Sequence, residues 1–80
     1  MKRARELILY TRPECHLCDL AAQMLENGAI PWQRVDIESD IDLITRYGTR
    51  IPVIYRPDVD QALYWPFSEE QLSAFAELEI

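Results

Sequence analysis

The 80-residue chain is poor in the residues that would define several common classes of protein. It has two cysteines, two glycines and one histidine. A tetrahedral zinc site takes four ligands, most often from two cysteine pairs. With no second pair and His16 as the only histidine, zinc held by one chain is disfavoured. Positive charge is scarce as well: 8 basic residues face 14 acidic ones, for a net charge of −6. Nucleic acid and anionic membrane surfaces both reward a basic face, so neither is expected as a partner. Lys2, Arg3 and Arg5 read as a frayed, soluble end. No apolar run approaches the ~20 residues of a membrane span. The run Leu7-Ile8-Leu9-Tyr10 is shorter than the ~7–15 apolar residues of a signal-peptide core. These absences point to a reducing cytosol, where a close cysteine pair is more often catalytic or metal-binding than a structural staple.

What the chain does have is enough apolar material, 49% of its residues, for one small domain spanning 1–80. Residues 6–11 read as a buried strand, ended by Arg12-Pro13. A helix follows over 15–27, with Leu17, Leu20, Ala21, Met24 and Leu25 at helical spacing on one face. Asn27-Gly28 reads as its stop, on the expectation that glycine takes the left-handed conformation there. A second strand covers 30–37, and Pro31 suits a strand start or an edge. Ser39-Asp40 caps a short helix over 41–47, stopped by Gly48. Strands over 51–55 and 62–65 flank a turn at Arg56-Pro57-Asp58-Val59-Asp60 and form a hairpin. Ser68 and Gln71 have the spacing of a capping box, opening a helix that runs to about Leu78 with Leu72, Phe75 and Ala76 as its core stripe. Trp65 and Phe67, just before that helix, suit either a core or a substrate groove, and Trp32 is open in the same way. The order is β-α-β-α-β-β-α, an α/β architecture with helices flanking a four-stranded mixed sheet.

The chemistry centres on Cys15-His16-Leu17-Cys18. A thiol at a helix N-terminus meets unpaired N–H groups and the positive end of the helix dipole. In such motifs the cysteine pKa falls to roughly 3.5–7.5, and the thiolate is the nucleophile. Cys15 would attack a substrate disulfide. Cys18, one turn further in and mostly protonated, would then resolve the mixed disulfide. Arg12 and His16 are the cations placed to tune the thiolate, and Glu14 opposes them. A static Cys15–Cys18 staple would close too small a loop to stabilise much. A different class of function stays open: a binding module or carrier whose cysteines hold an iron–sulfur cluster or metal between two chains.

The segment Ile8-Leu9-Tyr10-Thr11-Arg12-Pro13-Glu14-Cys15-His16-Leu17-Cys18 resembles the active-site segment of glutaredoxins, and Arg50-Ile51-Pro52-Val53-Ile54-Tyr55 is similar to the segment that carries the cis-proline of thioredoxin-fold proteins. The whole chain is similar to the small Cys-His-Leu-Cys glutaredoxin-like proteins. The resemblance implies a thioredoxin-like, minimal glutaredoxin-type fold. It also implies cell redox homeostasis as the setting, and a cis Pro52 facing Cys15. Ile51 would then be free to pair with an incoming peptide, by the logic of strand addition.

Two departures bear on the ligand. Glutaredoxins commonly hold glutathione's glutamyl end with Gly-Gly and an acidic residue, where this chain has Trp65-Pro66-Phe67-Ser68-Glu69. Arg50 stands where a small hydroxyl residue is typical. No bound cofactor is expected, the departures weigh against glutathione, and the expected partner is a protein or small-molecule disulfide acted on by a monomer. Cys15 and Cys18 are the expected catalytic pair, tuned by Arg12 and His16, with Arg50, Ile51 and Pro52 contacting substrate.

Overall fold

The computed structural model describes residues 6–78; Lys2, Arg3 and Arg5 lie outside the described residues. Its elements are β1 (Leu7–Thr11), α1 (His16–Asn27), β2 (Trp32–Asp36), a 3-10 turn (Ile37–Ser39), α2 (Ile41–Tyr47), β3 (Val53–Arg56), β4 (Gln61–Tyr64) and α3 (Glu69–Glu77). The sheet order is β2-β1-β3-β4, with β1 parallel to β2 and antiparallel to β3. This is the α/β mixed sheet the sequence predicts.

Alternation along the strands sends residues to two opposite cores. Leu7 and Leu9 of β1 and Ile54 of β3 pack with Ala21, Ala22 and Leu25 of α1, Phe67, and Leu72 of α3. Tyr10 and Val53 point the other way, against Ile37 and Tyr47. α1 and α3 therefore cover one face and α2 the other. Leu7, Leu9 and Leu25 have no exposed surface. Truncating any one of them to alanine costs about 2–5 kcal/mol in cores of this kind.

Strand bounds shift by one or two residues from the sequence reading, and β3 and β4 reach into the expected turn as far as Arg56 and Gln61. β2 starts at Trp32 and gives way at Ile37 to the 3-10 turn, which Asp36 caps by accepting from the Glu38 N–H at 2.9 Å. β3 starts at Val53, because Pro52 has no N–H to give a ladder. The helix starts behave as expected. Asp40 caps α2 through the Asp42 N–H, and Ser68 and Gln71 exchange both bonds of a capping box. Two apolar residues expected in the core of α1, Leu17 and Leu20, are instead 42% exposed; the buried face is Cys18, Ala21, Ala22 and Leu25. Trp65 and Phe67 both join the core, with their rings edge to face at 5.0 Å, and Trp32 packs beside them.

The end of α1 departs from the sequence reading. Gly28 is the C-cap with φ −85, and Ala29 takes the left-handed position at φ 54. The bonds Ile30 N–H to Leu25 carbonyl (3.1 Å) and Ala29 N–H to Glu26 carbonyl (3.0 Å) are those of a Schellman motif, whose left-handed residue lies one place after the cap. Gly48 also lacks a positive φ. A Cβ there would stand 2.5 Å from the Ile44 carbonyl oxygen, so close approach is what calls for glycine.

Arg56 is the most unusual core residue, a guanidinium with no exposed surface. Burial of a charge is tolerated only when its hydrogen bonds are met. Nε and one terminal nitrogen donate to the two Asp58 carboxylate oxygens (3.1 and 2.6 Å), while the other donates to the carbonyls of Phe75 and Leu78 at the end of α3 (2.8 and 2.7 Å). The hairpin turn is fixed further by the Tyr55 hydroxyl, which donates to Asp60 at 2.6 Å.

Two tests follow from these contacts. Ala29→Gly removes the left-handed penalty of an L side chain and should raise stability by about 0.5–1 kcal/mol in urea denaturation; a loss of stability would show that Ala29 is not held at positive φ. The Asp60 carboxylate holds the Tyr55 phenol protonated, pushing its pKa up to about 12. A raised folded-state value means that this hydrogen bond contributes fully below the ordinary tyrosine pKa of ~10 and is lost as pH rises to about 12. Ultraviolet titration of Asp60→Asn should show one tyrosine ionising earlier than in the unaltered protein.

Candidate active site

The antiparallel register sets the site. Tyr10 of β1 lies opposite Val53 of β3, so the chain leaving β1 toward Cys15 and the chain entering β3 through Pro52 meet at one end of the sheet. The Ile51-Pro52 bond is cis, as the resemblance implies. Ile51 lies beyond the last ladder pair of β3, outside the sheet's own hydrogen bonding. A second cis bond, Trp65-Pro66, was not foreseen from the sequence.

Cys15 is itself the N-cap of α1. It sits in extended backbone (φ −109, ψ 102), and its Sγ accepts the Cys18 N–H at 3.1 Å. Serine, threonine, aspartate and asparagine are the usual caps, because an oxygen meets the orphan amides. Here sulfur takes that place, so the first turn of the helix delivers an N–H to the sulfur that would carry charge. A hydrogen bond to the charged form favours that form. Cys15 and Cys18 form a disulfide with Cα atoms 5.2 Å apart, and the contacting sulfur is therefore that of the oxidised state. The two sulfurs differ in access: Cys15 is half-buried, while Cys18 is 1% exposed under the first turn. Glu14, directly before Cys15, is held at φ 58, a conformation uncommon for a residue with a side chain.

The expected tuning residues separate. His16 is exposed at the first position of α1. Arg12 turns to other partners: it donates to the Glu38 carboxylate at 3.2 and 3.3 Å and to the Gly48 carbonyl at 3.2 Å. Its charge is met by Glu38, and its main structural effect is to tie the Cys15 loop to the segment that leads into Pro52. Arg50, in that segment, lies over the Tyr64 ring with 5.2 Å from Cζ to the centroid. Glu38, Gly48 and Tyr64 are the site neighbours that reading the sequence missed. Glu38 sits in the 3-10 turn after β2 and Tyr64 on β4, so neither is close in sequence to what it touches. Only the strand order, β2-β1-β3-β4, could have brought them in.

A four-stranded mixed sheet with a cysteine pair at the head of its first helix and a cis-proline entering the adjacent antiparallel strand defines the thioredoxin-like class. The sequence matches the family model for the glutaredoxin-like domain (DUF836) over residues 6–77, and the chain belongs to that family. Its structure is similar to the X-ray structure of structural-genomics target protein XcR50 from X. campestris, at 40% identity, with a TM-score of 0.79 over 86% of this chain and 92% of that one. The solution structure of the same protein gives a TM-score of 0.76 at 40% identity, covering 86% and 88%. Protein Ne2328 from Nitrosomonas europaea, 22% identical, shares the fold with a TM-score of 0.73 over 94% of both chains. Among curated proteins there is no match. No helix among the described residues is long and apolar enough to cross a membrane.

Because Glu14 adds negative charge next to Cys15, Glu14→Gln should lower the pH at which the Cys15 thiolate appears in the reduced protein. Thiolate absorbance read against pH checks this. A thiolate that appears at higher pH in the variant would mean that the Glu14 carboxylate assists the sulfur rather than opposing it.

Proposed function

We propose that this protein is a thiol–disulfide oxidoreductase in which Cys15 is the nucleophile and Cys18 the resolving thiol. The observation that carries the reading is the asymmetry of the pair. One sulfur is half-exposed and hydrogen-bonded by the helix N-terminus, and the other is sealed one turn below it. Membership of the glutaredoxin-like family supports the same chemistry.

In the reduced protein the Cys15 thiolate attacks one sulfur of a substrate disulfide. A Cys15–substrate bond forms, the substrate S–S bond breaks, and the leaving thiolate takes up a proton. Cys18 gives up its proton and attacks the Cys15 sulfur. The mixed disulfide breaks, the second substrate thiol leaves, and the Cys15–Cys18 disulfide remains. Two electrons have passed from the protein dithiol to the substrate. An external thiol or dithiol must then reduce the protein for a further turnover. Ile51, outside the ladder of β3, has backbone groups that suit an extended substrate peptide, and Arg12 and His16 border the reacting loop.

The substrate is read as a protein or small-molecule disulfide in a reducing cytosol. The segment at the glutathione-holding position supports a donor other than glutathione. Its Phe67 is buried in the core, and at the start of α3 the Ser68 hydroxyl already accepts the Gln71 N–H while Glu69 and Glu70 add negative charge.

Three measurements test the proposal together. Cys15→Ser should abolish reduction of a chromogenic disulfide, whereas Cys18→Ser should accumulate a mixed disulfide visible by mass spectrometry. Titration of the reduced protein should show a thiolate below the free-cysteine value of about 8.5. Full activity in Cys15→Ser would overturn the assignment. A visible absorbance band that copurifies with the protein and is lost in Cys15→Ser would instead favour a cluster carried between two chains.

A further inference from the structure

Arg12 and Arg56 each have a carboxylate partner, Glu38 and Asp58. Arg50 has none among the described residues. Its guanidinium is exposed and engaged on one side only, by the face of Tyr64. A guanidinium stacked on a ring keeps its edge N–H donors free, in the flat fork that matches a carboxylate. The ring beneath it is held in place: Tyr64 lies tilted against Tyr47 at 6.5 Å, and Tyr47 stacks on Tyr10 at 4.9 Å. Because that platform is already packed, little ordering of the guanidinium is left to occur when a ligand arrives.

Position adds the second argument. Arg50 is two residues before the cis Pro52, in the stretch that Arg12 fastens to the Cys15 loop through the Gly48 carbonyl. An extended peptide laid along Ile51 advances ~3.3 Å per residue, which brings the neighbours of its reacting cysteine past Arg50. In a chain of net charge −6, an acidic segment is repelled in general, so a cation without a carboxylate partner at the approach favours its docking.

We propose that Arg50 is a specificity-determining residue that admits disulfide substrates bearing a carboxylate within one or two residues of the reacting sulfur. The proposal rests on the redox reading above and names the substrate class for it. The carboxylate is that of an acidic peptide or of a small disulfide, and both present the same group to the same fork.

The test compares single-turnover rates for peptide disulfides whose cysteine is flanked by aspartate or by asparagine, with oxidised glutathione as the small-molecule arm. The quantity read is the ratio of acidic to neutral rates. Arg50→Gln should lower that ratio about fivefold, the size of a solvent-exposed ion pair. Arg50→Lys should keep part of it and Arg50→Glu should invert it. Tyr64→Ala should lower the ratio as well, because it removes the platform and not the charge. A ratio unmoved by Arg50→Gln overturns the proposal while leaving the redox chemistry in place. Oxidised glutathione sharing the Arg50 dependence extends the class to small disulfides, and dependence confined to the peptides assigns it to proteins. A binding arm keeps the two readings apart. In the Cys15→Ser, Cys18→Ser protein, titration with reduced forms of the same peptides should show the acidic one bound more tightly, and Arg50→Gln should remove the difference. If no peptide disulfide is reduced yet this binding difference holds, the redox reading fails and the anion site stands. If the difference is absent, the anion site fails.

Discussion

β1 is paired along both edges, parallel to β2 and antiparallel to β3, while its side chains alternate into both cores. Every functional element takes its place from that strand. Leu7 and Leu9 fix the face on which α1 packs, which sets where the helix begins and thus where Cys15 sits. The antiparallel partner brings the Ile51-Pro52 segment to the same end. Slipping the β1–β3 register by one residue would exchange the two faces of the strand, forcing Leu9 into the tyrosine-lined core and Tyr10 into the core under α1. Burial of these leucines therefore specifies the redox geometry as well as the fold.

Within that frame, charge is handled differently at three arginines. Arg56 is enclosed and saturated, joining the hairpin to the end of α3. Arg12 is half-exposed and paired across the site loop with Glu38. Arg50 is stacked but unpaired among the described residues. At Cys15 the sulfur takes its hydrogen bond from the backbone of the first helical turn. That arrangement depends less on salt than a surface pair would, since an amide at 3.1 Å from the sulfur is screened little by ions in solution.

Much of this was legible in the sequence because it is local. The cysteine pair at the head of a helix, the Ser68–Gln71 capping box and the Asp40 cap each depend on residues within one turn of one another. The element order and the cis Pro52 were reached through segments that resemble a known family. What was not legible depends on distance or on single dihedrals. Leu17 and Leu20 have the spacing of a core stripe, but α1 buries the face made by Cys18, Ala21, Ala22 and Leu25, leaving both leucines outward. Glycine next to asparagine suggested a left-handed stop at Gly28, yet the Schellman geometry puts that conformation on Ala29. Arg12 reads in sequence only as a neighbour of Cys15, and its bonds to Glu38 and Gly48 depend on strand order.

The separation of the two cores has an optical consequence. All four tyrosines gather with the α2 face of the sheet: Tyr10 with Tyr47, Tyr55 against Tyr10, and Tyr64 against Tyr47. Both tryptophans, Trp32 and Trp65, pack on the α1 and α3 face. The natural chromophores are thus sorted by the sheet, and tryptophan emission and tyrosine absorbance report on opposite sides of one small molecule. Coincidence of the two signals during unfolding would identify a single cooperative unit; divergence would show one layer loosening before the other.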